Sequence, residues 1–550
     1  MNSGTSPNDF RRALLATVLI SAWPFAQPGT ARAQTPPANP KPTCVVPSTL
    51  FATWIDTTAS SPGNVVFKPA DSETFPDVPN CTFYQWAEQM FLWLTSATPP
   101  TYGGGSGRIF DSPTFYGVSA LENGARTFVP NTASGFAAVN GVRNAQVGPN
   151  GIPVILNNLH QLVEVPTPQV GPTGKPVIRD TSGRLVEFKA TKMLPNGKLA
   201  FLDANGNTIP VQQGQAGGGD VLMATKNSSL VYYAIHVNDV YAYFATGVKT
   251  NAIAATHFPQ NAADMAKIVT FATGKGKTFP DTVAMAVEVK TAWIDATGLD
   301  ASKYVTVTAA VPVYNMLNPT QWVPTGATKQ ATLALVGMHV VGSTASTSGH
   351  PGHPEMIWST FEHVNNTPNA SYNYTNSGNT TTTVASSPAP AGGWLFAASS
   401  TPVNPNFSHM SVDPATGTIG ALTGAPRPGT ISPSDTERTN PWGTPASAGS
   451  VFTGNNTDLI AINDSIHGQL APTDVRSNYL FTGATWTIFG AVPTQPPSSN
   501  QVGTNQMANT TMETYQAGTN CFSCHDGSNM LGKPGGGGLS HIWGPLKPLP

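Results

Sequence analysis

The stretch Asn520-Cys521-Phe522-Ser523-Cys524-His525 constrains this chain more than any other. It is a CxxCH motif. Two thiols three residues apart can each add to a vinyl group of one haem, and the histidine that follows is placed to ligate the iron from the proximal side. A fold that carries it must offer a surface against which a large, flat, apolar group can pack. Two plainer readings compete. A CxxC redox pair needs no histidine there and usually sits in a βαβ context, which this sequence lacks. A zinc site needs two more ligands, and there is no second CxxC. The motif therefore reads as one covalent haem c on Cys521 and Cys524, with His525 as the proximal iron ligand.

Composition agrees with an exported, turn-rich chain. Charged residues make up 10%, against about 25% in ordinary soluble proteins. Gly 53 and Pro 50 are nearly a fifth of the chain, while 39% apolar residues and eleven Trp are enough to build a core. The net charge of -2, with no basic block, gives nucleic acid no foothold. Residues 1–33 read as a signal peptide: Arg11 and Arg12, an apolar run from Ala13 to Ala26, and Ala31-Arg32-Ala33 as the cleavage site. A membrane anchor is the alternative, but the run is short of the roughly 20 residues a span needs and contains Pro24. The expectation is a periplasmic or secreted chain, cleaved after Ala33, with no membrane span in its mature form. In such a compartment the two remaining thiols, Cys44 and Cys81, read as a disulfide, with a pair of buried free thiols as the alternative.

Along the mature chain the class is mainly β (α+β): a large turn-rich β body with a few helices and a short C-terminal haem-bearing helical tail. Residues 34–48 form a Pro-rich lead-in, 49–500 the β-rich body in one or two subdomains, and 501–550 the c-type haem segment. The best helix is Asn80–Ser96. Phe83, Trp86, Ala87, Met90, Phe91 and Leu94 share one face, Asn80 can cap the start, and Pro99-Pro100 blocks continuation. Leu185–Ala190, Val231–Val237, Ala284–Trp293, Leu333–Val341 and Met356–Phe361 read as strands. In the third of these, Met285, Val287 and Val289 face one way and Glu288 and Lys290 the other. Residues 365–393, rich in Asn, Thr, Ser, Pro and Gly, read as a long surface loop. Thr510 and Glu513 have capping-box spacing and predict a short helix leading to the CxxCH motif.

His339, His350, His353, Glu355, Glu362 and His363 crowd into one stretch, readable as a metal site, a wall over a haem, or simply satisfied polar residues. The sixth iron position needs a His or Met. His541 is the favoured distal ligand, because Gly535–Gly538 lets the chain turn back and Ile542-Trp543 can cover a haem face. Met507, Met512, Met530 and His363 are alternatives. No GxSxG nucleophile or Gly-rich phosphate loop is present.

Several stretches together resemble a group of bacterial secreted cytochrome c family proteins. They are Tyr84–Phe91, Glu288–Trp293, Val336–Val341, Ile357–Val364, Asn509–Thr514 and Cys521–His525. The resemblance implies haem binding and electron transfer to a redox partner protein, and supplies neither substrate nor catalytic residues. A plain carrier needs only about 100 residues, so a haem-dependent oxidoreductase, or a ligand-binding or sensing protein with its pocket in the β body, stands as the alternative.

Overall fold

The structure is a computed structural model. It describes residues 36–71, 80–119 without 106, 125–131, short strand segments between 154 and 209, 222–346, 350–387, 393–397, 408–412, 417–424, 427–444, 452–493, 500–507, 509–514, 521–525, 531 and 538–550. Residues 1–33, read above as a signal peptide, and Met530 lie outside these residues.

The chain is mainly β. Its centre is an eleven-stranded antiparallel sheet: β1 (Phe115–Val118), β2 (Phe128–Pro130), β3 (Tyr232–Asn238), β4 (Val287–Asp295), β5 (Thr306–Asn318), β6 (Gln321–Thr344), β7 (His353–His363), β8 (Met410–Val412), β9 (Ile419–Ala421), β10 (Tyr479–Thr487) and β11 (Gln501–Gly503). The strands run β2-β1-β3-β4-β6-β7-β10-β11, with β5 and β9 also paired to β6 and β8 paired to β9. The sheet thus extends into residues 501–503, the start of the segment assigned to the haem. Small separate antiparallel sheets occupy 154–164, 169–187 and 190–209.

Each face of the sheet is covered, and the alternation of side chains decides by what. One face carries Val287 and Val289 of β4, Met338 and Val340 of β6, and Ile357 and Phe361 of β7. Helix α2 (Asn80–Leu94) packs there: Phe91 stacks on Phe361 at 4.2 Å, and Phe83 on Trp486 at 3.9 Å. All six residues of its expected apolar face are buried. The lead-in is tied to the start of α2 by the Cys44–Cys81 disulfide, with Cα atoms 5.4 Å apart. Helix α1 (Ser48–Trp54) and α5 (Phe452–His467) complete this layer.

The opposite face carries Glu288, Lys290, His339, Val341, Trp358 and Thr360. Over part of it lie α3 (Asp239–Lys249) and α4 (Ala262–Gly274), capped by the side chains of Asn238 and Asn261, together with Met507, Phe522, Leu531 and the segment from Leu539 to Leu546. Trp543 is wedged among Tyr241, Phe244 and Phe258, with ring centroids 5.5–6.1 Å apart.

Two expectations are corrected. Residues 365–393 are not a plain loop. They contain a hairpin, Tyr372–Thr375 with Thr381–Val384, whose Tyr372 and Tyr374 point inward against α5 while Asn373 is exposed. Residues 510–514 do not open a helix, because Glu362 takes the Thr510 N–H at 2.7 Å and holds the segment as a turn on the sheet.

Candidate functional site

Helix α6 (Cys521–Cys524) is a single turn, closed by the His525 N–H donating to Cys521 O at 2.8 Å. It brings both cysteines of the motif and His525 onto one short piece of backbone. Cys521 is half-buried. The side chains of Ser523 and Cys524 lie outside the described residues.

The turn is seated on the sheet face described above. Phe522 is buried, and its ring meets Trp358 edge-on at 6.3 Å. The His525 imidazole lies 4.1 Å from the Trp358 ring and stacks on His541 at 4.0 Å, with the two imidazoles only 12° from parallel. Its Nδ1 donates to the Leu539 carbonyl at 2.7 Å. That bond fixes the tautomer and leaves Nε2 as the free nitrogen. Loss of water, followed by the neighbouring His541, Lys290 and His339, holds His525 well below the ordinary histidine range and therefore neutral. A neutral imidazole with Nδ1 engaged by a carbonyl is in the state a metal ligand requires. These groups fit a covalent haem: Cys521 and Cys524 to attach it, His525 to ligate its iron, and Phe522, Trp358, Leu539 and Ile542 as apolar surroundings.

The next residues fasten this arrangement to the body. Ser540 Oγ donates to Glu288 Oε2 at 2.7 Å and lies 2.8 Å from the Tyr241 hydroxyl. Arg126 N–H donates to Pro545 O, and Lys547 N–H to Arg126 O, both at 2.9 Å. Upstream, the turn at 509–513 sits on Gly337, where a Cβ would fall 2.2 Å from Thr511 Oγ1. Glu513 accepts from His339 Nε2 at 3.0 Å and from Asn509 N at 3.0 Å, which with the His339 charge keeps its carboxyl below the usual range despite burial. Met512 is buried in the core beside Val336.

The histidine-rich stretch does not gather into one centre. His339 belongs to the Glu513 pair on the haem-motif face. His353 is buried and pairs with Glu355 at 2.8 Å, whose Oε1 also accepts from Thr487. Glu362 forms a buried ion pair with Arg438 at 2.9 Å. His363 stacks on Tyr304 at 4.0 Å and is pushed down to about 3, chiefly by burial. His350 is half-buried. Among the described residues, no group of three His, Cys, Asp or Glu side chains is placed to hold a metal ion, and no helix is long and apolar enough to cross a membrane.

Sequence reasoning singled out His525 and His541, which the fold brings together. It missed Trp358, Ser540 and the Leu539 carbonyl, and gave Glu288 no role. The one available signal was the alternation that turns Glu288 away from Val287 and Val289. Against known proteins, no family model, no curated protein and no solved structure matches this chain.

Proposed function

We propose that this protein is a monohaem c-type cytochrome that transfers single electrons in the periplasm or outside the cell. The observation that carries the reading is the bond from His525 Nδ1 to the Leu539 carbonyl, made by the histidine of a CxxCH motif. Haem bound there supplies a one-electron couple at its iron. The protein's own groups orient the ligand and exclude water: the Leu539 carbonyl fixes the ring, Trp358 and His541 flank it, and Ile542 and Trp543 bury the strap that carries the carbonyl. Cys521 and Cys524 are the attachment points. His541 as distal ligand would have to leave its stack on His525 to reach the other side of the iron. The Cys44–Cys81 disulfide favours an oxidising compartment.

A denaturing gel stained for haem tests the reading. After expression in a host that matures c-type cytochromes, the chain keeps its haem through denaturation, and a Cys521→Ala, Cys524→Ala double variant loses it. A wild-type band without haem would overturn the proposal.

The His339–Glu513 pair, next to Lys290 on the same face, favours a second reading, a haem oxidoreductase in which this pair handles protons. Carbon monoxide separates the two: a carrier with both axial positions filled keeps its reduced spectrum, whereas an enzyme with an open position shifts.

A further inference from the structure

The hydrogen bond that orients His525 is one peptide away from a carboxylate. Leu539 supplies the carbonyl, and the next residue, Ser540, donates to Glu288. Ser540 is 1% exposed and Tyr241 is fully buried, while Glu288 itself is half-buried, so water reaches the carboxylate only from one side. We propose, resting on the haem reading above, that Glu288 is the redox-linked proton site of this protein. Uptake of one electron at the iron from an external one-electron donor is matched by uptake of one proton from water on the Glu288 carboxylate, forming its O–H bond and leaving the net charge of the site unchanged.

The geometry supports this at each element packed around Glu288. On β3 and β6 its cross-strand partners are Val237 and Val341, which offer no charge. From α3 comes the Tyr241 hydroxyl, held by Ser540. The strap contributes Ser540 and, next to it, His541. Lys290 follows on the same strand, and Arg126 faces in from the segment paired with the strap; both bring positive charge to bear on Glu288. Burial outweighs the Ser540 bond and these two cations and pushes Glu288 up to about 7. A carboxyl poised there changes protonation when a nearby charge changes by one unit. Ser540 can serve either state. It donates to the carboxylate, and it accepts when the acid form donates, with Tyr241 completing the relay.

Spectroelectrochemical titration of the haem-loaded full chain between about pH 5 and 9 tests the inference. The reduction potential falls as pH rises across the neutral region. The slope approaches a tenfold shift in the reduction equilibrium per pH unit, which is about 59 mV for one electron. Glu288→Gln, which still accepts from Ser540, flattens that region, while His350→Gln leaves it sloped. Independently of any variant, the reduced-minus-oxidised infrared spectrum of the wild type gains a protonated-carboxyl band. A haem-bearing wild type with a flat profile and no such band overturns the inference and leaves the haem reading standing; so does a slope that survives in Glu288→Gln. A chain that carries no covalent haem overturns both.

Discussion

Glu88 shows most simply what burial does to a single residue here. It lies on α2 with 4% of its surface exposed, and its Oε1 makes no hydrogen bond. Burial alone raises its pKa from 4.5 to about 8. The folded chain therefore keeps a proton that the unfolded chain releases. Stability from this group is fully present below pH 4.5 and declines as pH rises toward 8, by about 1.4 kcal/mol per pH unit. Glu88→Gln should remove that decline and raise stability by about 3–4 kcal/mol at pH 7, with little effect near pH 4. Urea unfolding at the two pH values checks it, and equal gains at both would contradict the account. At this scale the sequence displays only groups with a fixed local grammar. CxxCH marks Cys521, Cys524 and His525 through spacing alone. The carbonyl that orients His525 comes from Leu539, beyond a glycine run, and any residue type can supply a carbonyl.

Among the elements, α2 was legible because its aromatic stripe, its Asn80 start and the Pro pair beyond it all agree. The turn at 510–514 was misread because its capping box is real in spacing but outcompeted. Glu362, from a strand far away in sequence, takes the Thr510 N–H and hydroxyl. The hairpin within 365–393 was missed because each strand has only four residues, too few for alternation to stand out in an Asn- and Thr-rich stretch. The same turn gives a sharp prediction. Gly337 is needed because the Thr511 and Asn509 side chains rest on the sheet where a Cβ would be. Gly337→Ala should cost about 1–3 kcal/mol by lifting that turn. Limited proteolysis should then cut near residue 509 sooner than elsewhere; unchanged cleavage kinetics would refute the seating described here.

For the whole molecule, the mainly β class follows from composition and from strands that alternate; four of the five expected strands fall on β3, β4, β6 and β7, whereas Leu185–Ala190 is divided between two small sheets. The two-layered cover was not legible. The strand Tyr232–Asn238 runs straight into α3 with only Asn238 and Asp239 between two apolar runs, and α5 lies in a turn-rich region with weak periodicity. Sequence order also conceals that Met507, Phe522, Leu531, Leu539, Ile542, Trp543 and Leu546 share one apolar cluster with helices α3 and α4. Trp543 is the keystone of that cluster, so Trp543→Ala should cost about 3–5 kcal/mol. It should also loosen the Leu539 carbonyl from His525. Hydrogen exchange should show residues 539–547 losing protection while α2 keeps its own; uniform loss would mean the two layers are not separable.

The clasp of Arg126 on Pro545 and Lys547 carries a consequence about time. Its halves stand more than four hundred residues apart along the chain. On a polypeptide made amino end first, Arg126 waits through nearly the whole of synthesis before its partners exist. Contacts with such long loops also close slowly. Until they close, residues 521–525 stand on open chain. The clasp thus works as a clock, and the interval before it shuts is the time during which the sheet face beneath Trp358 stays uncovered by this strap.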